Sequence, residues 1–304
     1  MRHILIAVAL VIFAVPAAIP LRTAMAAENN ELTLAVIRTE EMSALAKRWE
    51  VAVAYLKKHH QLDINFYATT SYASVVEAML SGFVDVGSLG PKIYLVAHEK
   101  SKGAIQPVVS YALPADMFMD EPCGCYFGAF VTKKGSGLTT IESTKGKVLA
   151  LVDPGSTSGN ALPRALFGDE IGGAELEDFF GRIFYSGSHT SSGRAIQSGK
   201  ADAAFISLGT LRRLISSGEH KKEDYNYLWR SPQIPIDVLA VDKTRMKPEM
   251  VERVRKAFVG MSEIPEGRAV LKAMDFAAFV PAEDSRFDPL RKILAVKAKL
   301  KKSK

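Results

Sequence analysis

Three consecutive hydroxyl residues stand between two glycines in residues 153–159, which read DPGSTSG. The apolar run 148–152 precedes them, and an apolar pattern at helical spacing, with Pro163 in its first turn, follows. This order predicts a strand, a tight turn and the N-terminus of a helix. A helix N-terminus presents free N–H groups and a partial positive charge, so adjacent hydroxyls would complete an oxyanion site. The three hydroxyl residues are Ser156, Thr157 and Ser158.

An ordinary helix cap is the alternative for this segment, since a Ser or Thr before a helix usually only caps it. The segment is not a Walker loop, because no Gly-Lys-Ser/Thr follows. It is not a Gly-x-Ser-x-Gly nucleophile elbow either, because Thr157 holds the middle position. The local residues therefore leave an oxyanion site and a plain cap both open.

The first 26 residues have the pattern of a secretory signal peptide. Arg2 precedes an apolar run over residues 4–19, and Ala24-Met25-Ala26 is a small-x-small cleavage site. The run is too short for a membrane anchor, and no later segment is long and apolar enough to span a bilayer. We expect residues 1–26 to be removed and the mature protein to act outside the cytoplasm.

Charge and cysteine content exclude some functions. The formal net charge of +6 falls to +4 without Arg2 and Arg22, and lysines among the last eight residues hold most of that excess. Basic and aromatic residues do not interleave, so we expect no nucleic-acid partner. Cys123 and Cys125 could form a tight local disulfide, and the residues around them offer no further metal ligands.

Alternating strands and helices predict the α/β class, with a parallel sheet and right-handed crossovers. The mature chain of about 278 residues is near the limit for one core, so we expect two lobes. The predicted strands are residues 32–37, 62–67 and 84–89, and the predicted helices are residues 42–59, 71–80 and 94–99.

A second copy of this unit lies further along the chain. Ser71-Tyr72 corresponds to Ser188-His189 at an offset of 117 positions, and the pattern of Ser-Gly, two further residues and Asp recurs at the same offset. One fold unit used twice explains the match. Two such lobes facing each other form a cleft at the carboxyl ends of their strands, with Tyr72 and His189 at equivalent helix N-termini.

Two crossings between the lobes predict a hinge. Residues 125–133 are strand-like and lead from the first lobe to the second, and the proline-stiffened residues 231–237 lead back. We expect lobe 1 to comprise residues 27–126 and 235–304, and lobe 2 to comprise residues 127–234. Helices are predicted at residues 250–261 and 285–302, the latter packing back on lobe 1.

These motifs resemble the phosphate/phosphite/phosphonate substrate-binding proteins of ABC importers, the PhnD-like family. The resemblance covers residues 32–272, and its most specific part is residues 153–159 followed by SPQIPID at residues 231–237. It implies a type II periplasmic-binding fold of two α/β lobes with a hinged ligand cleft. It also implies a monomeric periplasmic protein without catalytic activity, metal or cofactor, which captures a small phosphorus oxyanion for an ABC transporter permease.

The resemblance also implies roles for individual residues. It puts Ser156, Thr157 and Ser158 on the phosphonate oxygens, with His189 as a further donor. Tyr72 and Tyr126 would reach in from lobe 1, and Asp237 from the hinge. Each has a plain alternative: the tyrosines as aromatics at domain edges, the histidine as a helix cap and the aspartate as the partner of a backbone N–H.

Two positions depart from the family pattern. Gly209, after Ser207, stands where amine-binding members carry an acidic residue, so we expect ligands without an amine. Val238 replaces the Pro that often follows the hinge aspartate.

Two other functions remain alternatives at this point. A secreted hydrolase could use Ser156 or Ser158 with His189 and Asp237, although the nucleophile elbow is missing and opening lobes would separate the groups. A ligand-binding protein that serves a sensor kinase would need the same cleft as an importer's binding protein.

Overall fold

The structure, a computed structural model, describes residues 30–302, with side chains up to residue 296. The predicted signal peptide, residues 1–26, lies outside the described residues. None of the helices within that range combines the length and apolarity that crossing a bilayer requires.

The first part of the chain alternates strands and helices, as predicted. In chain order its elements are β1 (Glu31–Val36), α1 (Met42–His60), β2 (Asp63–Ala68), α2 (Tyr72–Leu80), β3 (Val86–Leu89), α3 (Pro91–Lys100), β4 (Ile105–Ala112) and β5 (Cys125–Tyr126).

The middle part repeats the alternation. Its elements are β6 (Gly128–Lys133), β7 (Val148–Leu151), α4 (Leu162–Leu166), α5 (Leu176–Phe179), β8 (Arg182–Tyr185), α6 (His189–Gln197), β9 (Ala203–Ser207), α7 (Leu208–Ser216), β10 (Tyr225–Arg230) and β11 (Ile234–Pro235).

The last part returns to the first sheet and ends in helices. Its elements are β12 (Val238–Asp242), α8 (Pro248–Val259), α9 (Pro265–Met274), β13 (Ala278–Pro281) and α10 (Asp288–Lys302).

Two mixed sheets organise these elements, in the strand orders β13-β4-β12-β3-β1-β2 and β10-β6-β9-β7-β8. In each sheet three strands are parallel and the next runs antiparallel to them. The predicted α/β class is confirmed. We call the part with the six-stranded sheet lobe 1 and the part with the five-stranded sheet lobe 2.

Two short strands connect the lobes. β5 leads into lobe 2, β11 leads back, and the two pair with each other in an antiparallel ladder. We propose lobe boundaries at these crossings, with residues 27–126 and 235–304 in lobe 1 and residues 127–234 in lobe 2. Cys123 and Cys125, beside the first crossing, form a disulfide.

The duplicated unit has the same hydrogen bonds in both lobes. Ser71 caps α2 by accepting from the Ser74 N–H, and Ser188 caps α6 by accepting from the Ser191 N–H. The carboxylate of Asp85 accepts from the Thr33 N–H in β1, and that of Asp202 accepts from the Val148 N–H at the start of β7, both at 2.8 Å. Local residue choice therefore sets the same strand–helix–strand geometry twice.

Burial on both faces explains the apolar central strands. All residues of β3 and β9 are buried, because helices cover each sheet on both sides. In lobe 2 the rings of Phe130, Phe167 and Phe205 pack together with centroids less than 5 Å apart. These cores hold the strand ends that face the cleft.

Three predicted elements differ in detail. α3 begins at Pro91 rather than Tyr94, because Gly90 is its extended N-cap and proline suits the first helical position. The strand predicted at residues 125–133 is interrupted at Phe127, where the chain passes from the hinge into lobe 2. α10 contacts α3 as expected of a helix on lobe 1, but it also contacts α4 of lobe 2.

Substitution Asp202→Ala should destabilise the protein. It leaves the Val148 N–H at the start of β7 without its 2.8 Å acceptor, which costs about 1–2 kcal/mol. Thermal denaturation followed by circular dichroism should show a melting temperature lower by about 2–6 °C. The control Asp120→Ala, at an exposed position, should change it little. Equal effects of the two substitutions would contradict the role assigned to Asp202.

Candidate ligand-binding cleft

A cavity lies between the two lobes where strands of both sheets end. Residues just beyond β1, β3, β7 and β9 line it, which is the crevice at the carboxyl ends of strands where α/β folds bind ligands. The volume of the cavity that the centres of water molecules can occupy is about 70 Å³. At about 10–15 Å³ per water, it holds on the order of five waters, the room a small oxyanion needs.

Ser156 caps an unusually wide helical turn. Its Oγ accepts from the Gly159 N–H at 3.1 Å, and its carbonyl accepts from the Ala161 N–H at 2.9 Å, the spacing of a π-helical turn. The turn over residues 157–161 then continues into α4. Gly159 permits this path, because a Cβ there would lie 2.3 Å from the Val152 side chain.

The hydroxyls of Thr157 and Ser158 differ in their partners. Thr157 Oγ1 accepts from the Lys92 N–H at 2.9 Å, which leaves its own hydrogen free for a ligand in the cavity that it lines. Ser158 Oγ is buried without a hydrogen-bond partner among the described residues, and Ser158 does not line the cavity. A buried hydroxyl without a partner requires an acceptor or a water.

His189 is a neutral donor. It is the first residue of α6, and its Nδ1 accepts from the Ser207 N–H at 3.1 Å. Nε2 therefore carries the hydrogen, and it lies 3.4 Å from Ser156 Oγ. Burial, with a smaller effect of Arg213, lowers the pKa of His189 to about 3. The ring thus offers an N–H to the cavity without carrying a charge near neutral pH.

This tautomer argues against a serine hydrolase. A general base must accept the serine proton on Nε2, and its Nδ1–H must donate to a carboxylate. In His189 the hydrogen is on Nε2 and Nδ1 accepts from Ser207, while Ser156 Oγ accepts from Gly159. The hydrolase alternative therefore does not fit these residues.

Tyr72 and Tyr126 enter the cavity from lobe 1 and from the hinge. Tyr72 is the first residue of α2, and Tyr126 lies in β5. Burial, and secondarily the neighbouring Asp237, raises the pKa of both phenols. Both therefore remain protonated and can donate.

Asp237 lies between β11 and β12 at the junction of the hinge with lobe 1. It is half-buried, lines the cavity and accepts from the Tyr111 hydroxyl. Burial raises its pKa to about 6, against the lowering effects of Tyr111, Arg213 and Arg48. A carboxyl group with this pKa exchanges a proton close to neutral pH.

The structure brings six of the seven predicted site residues to one cavity and leaves Ser158 just outside its lining. The six are Tyr72, Tyr126, Ser156, Thr157, His189 and Asp237. No group of three or more His, Cys, Asp or Glu within residues 30–302 could hold a metal ion.

Sequence reasoning missed Arg48, Tyr111 and Arg213, which also line the cavity. Arg48 had a usable signal, because it shares the helical stripe of the buried Leu45 and Trp49. A charge on an apolar stripe indicates a buried partner or a ligand. Arg213 lies one helical turn beyond Gly209, a position the sequence had already singled out.

The lobes touch each other across the cleft. The His189 N–H donates to the Thr39 carbonyl at 3.2 Å, and Arg194 pairs with Glu41 at 3.2 Å. The bond from Lys92 to Thr157 described above also joins the lobes. The cleft is therefore closed over the cavity.

Most of the chain is similar in sequence to known periplasmic binding proteins. Residues 34–287 match the sequence profile of a family described as "ABC transporter, phosphonate, periplasmic substrate-binding protein". The phosphate-import protein PhnD of Mycolicibacterium smegmatis is 27% identical over 294 residues, which cover 87% of this chain and 85% of that protein.

Two solved structures have the same two-lobed fold. One is a binding protein component of an ABC phosphonate transporter from Pseudomonas aeruginosa, with TM-score 0.79 at 20% identity over 88% of this chain and 86% of that one. The other is PhnD1 of Prochlorococcus marinus in complex with methylphosphonate, with TM-score 0.75 at 16% identity over 87% of this chain and 97% of that one.

Substitution Gly155→Ala should hinder closure of the cleft. A Cβ at this position in lobe 2 would lie 2.8 Å from Tyr72 Cβ and 3.0 Å from Ile93 Cδ1, both in lobe 1. Overpacking of this kind costs about 1–3 kcal/mol, which disfavours the closed arrangement of the lobes by about fivefold to more than a hundredfold. Small-angle scattering should show a more open protein.

The matched control is Gly260→Ala, where a Cβ would have only the Glu263 side chain nearby, at 3.8 Å. We expect it to scatter like the wild type. A Gly155→Ala protein indistinguishable from this control would show that the lobes close without this contact.

Proposed function

The chain belongs to the family of periplasmic substrate-binding proteins of phosphonate ABC transporters, and from this premise we propose that its cleft captures one small phosphorus oxyanion for import. The proposed ligands are phosphate, phosphite and short phosphonates. Members of the family are binding proteins rather than enzymes, so the cleft has to hold and release its ligand unchanged.

The observation that carries this proposal is the position of Asp237 among neutral donors. The hydroxyls of Ser156 and Thr157 and the Nε2–H of His189 can donate to oxyanion oxygens without adding charge. A carboxylate in the same cavity repels an anion unless one proton is shared between them. A phosphorus oxyanion can keep that proton as P–OH, whereas a sulfonate or sulfate cannot.

The shared proton is the basis of selectivity in this proposal. A P–OH group donates to the Asp237 carboxylate, or the carboxyl group itself holds the proton and donates to the ligand. With a fully ionised ligand and an ionised Asp237, two like charges would face each other in a desolvated cavity. The raised pKa of about 6 supports this role, because it makes the proton available near neutral pH.

We further propose that aminoethylphosphonate is not the preferred ligand. Gly209 lines the cavity without an acidic side chain that could pair with an amine. Arg213, one turn along the same helix, carries a positive charge that repels an ammonium group.

We also propose where the protein works and with which partner. We propose that residues 1–26 direct the chain to the periplasm and are cleaved, and that the protein works there as a monomer with an ABC transporter permease. We propose no nucleic-acid partner, and we favour import over a sensor-kinase role because the matched family serves transporters.

The pH dependence of binding tests this function. For methylphosphonate, affinity should be nearly constant between pH 6 and 7 and then fall about tenfold per pH unit above the ligand's second ionisation. For methanesulfonate, which has no proton to share, affinity should already fall above pH 6, as Asp237 ionises. Isothermal titration calorimetry at half-unit pH steps measures both curves.

Two variants show which residue causes the pH dependence of ligand affinity. Asp237→Asn should flatten both curves and improve methanesulfonate binding at pH 7.5. His189→Gln should keep the slope, because His189 has a pKa of about 3 and does not titrate in this range. A wild-type protein that binds methanesulfonate as tightly as methylphosphonate at pH 7.5, or a slope that vanishes in His189→Gln, would contradict the proposal.

A further inference from the structure

One end of the cavity is cationic. Arg48 of α1 in lobe 1 and Arg213 of α7 in lobe 2 both line it, beside Tyr111. The positive charges of both arginines lower the pKa of Asp237 and that of Tyr111, so both arginines lie near these two groups. The hydroxyls of Ser156 and Thr157 instead interact with Tyr72 and Tyr126, and we call this part of the cavity the hydroxyl end. Asp237 raises the pKa of all three tyrosines, which indicates that it lies near both ends.

The two guanidinium groups share one carboxylate. Glu40 forms an ion pair with Arg48, and its other oxygen lies 3.7 Å from Arg213 Nε. The Nε atoms of both arginines are buried and have no hydrogen-bond partner among the described residues. Buried guanidinium donors without partners are costly unless something else accepts from them.

Two further acids nearby, Asp116 and Asp275, do not supply the missing partner. Arg212, the next residue on α7, pairs with both Asp116 and Asp275. The charge of Asp275 also raises the pKa of Arg48, but both carboxylate oxygens of Asp275 accept hydrogen bonds from Arg212. Burial, and then the charge of Arg213, lowers the pKa of Arg48 to about 10.

The same end has room for a short substituent. Gly209 leaves a gap, because a Cβ there would have no heavy atom closer than Leu113 Cδ1 at 3.6 Å. Phe276 and Trp49 contribute apolar walls. Because the cavity holds on the order of five waters, it admits a phosphonate with a short substituent but not one with a long chain.

We propose that the Arg48–Arg213 end binds a carboxylate carried by the ligand, so that the preferred ligands are short phosphonocarboxylates such as phosphonoacetate. Guanidinium groups pair with carboxylates through two parallel hydrogen bonds, which suits a planar group at the end of a short chain. The methylene spacer would pass Asp237 while the phosphonate occupies the hydroxyl end. This inference rests on the proposed function and specifies its ligand.

Calorimetry at pH 7 with four probes tests the inference. The wild type should bind phosphonoacetate about tenfold or more tightly than methylphosphonate, and aminoethylphosphonate more weakly than both. Malonate, which has two carboxylates and no phosphorus, should bind far more weakly than phosphonoacetate. If methylphosphonate binds and phosphonoacetate binds no more tightly, the inference is wrong while the proposed function stands.

Two variants test whether the tighter binding of phosphonoacetate depends on the Arg48–Arg213 end of the cavity. Arg213→Gln should remove most of the preference for phosphonoacetate, because it should weaken the binding of phosphonoacetate about tenfold more than that of methylphosphonate. The control Arg182→Gln, at an exposed position on β8, should preserve the preference. A loss of methylphosphonate affinity as large as that of phosphonoacetate would place Arg213 on the phosphonate itself and overturn the inference.

If phosphorus ligands fail as a group while malonate binds, the proposed function fails, not only its refinement. The wild-type ligand series needs no folded variant, so it decides the inference even if Arg213→Gln is unstable.

Discussion

Burial in the closed cleft sets the protonation of a histidine, two tyrosines and an aspartate that line the cavity. Burial keeps His189 uncharged, keeps the phenols of Tyr72 and Tyr126 protonated and raises the pKa of Asp237 to about 6. The cavity therefore offers neutral donors to an anion and one carboxyl group that can exchange a proton. At the hydroxyl end of the cavity an anion therefore meets neutral donors, and its own proton balance has to suit Asp237.

The duplicated fold creates this environment from two identical local devices. Each lobe starts a capped helix at the cleft, so that Tyr72 and His189 enter the cavity from opposite lobes. Gly155 lets the lobes approach, and the hinge strands place Asp237 at the edge of lobe 1. The site exists only where the lobes close on each other, which is how a binding protein couples ligand capture to its shape.

Much of this arrangement was predictable, because the signals are local. Small hydroxyl residues between glycines indicated the turn at residues 156–158, and Ser-Gly followed by Asp revealed the repeat. Asp237 and Tyr126 carried no local signal and came only from the family resemblance. Arg48, Tyr111 and Arg213 were not predicted, since a charge in a helix usually faces solvent and a tyrosine in an apolar strand usually belongs to the core. Only the packing of the two lobes turns these side chains toward one cavity.

In the proposed complex the ligand and Asp237 together hold one proton. Calorimetric titration of methylphosphonate at pH 8, repeated in buffers with different heats of ionisation, counts the protons taken up when the complex forms. At this pH both groups are ionised when free, so the account predicts an uptake of about one proton per ligand in the wild type and close to none in Asp237→Asn. Binding of methylphosphonate by the wild type without proton uptake would contradict it.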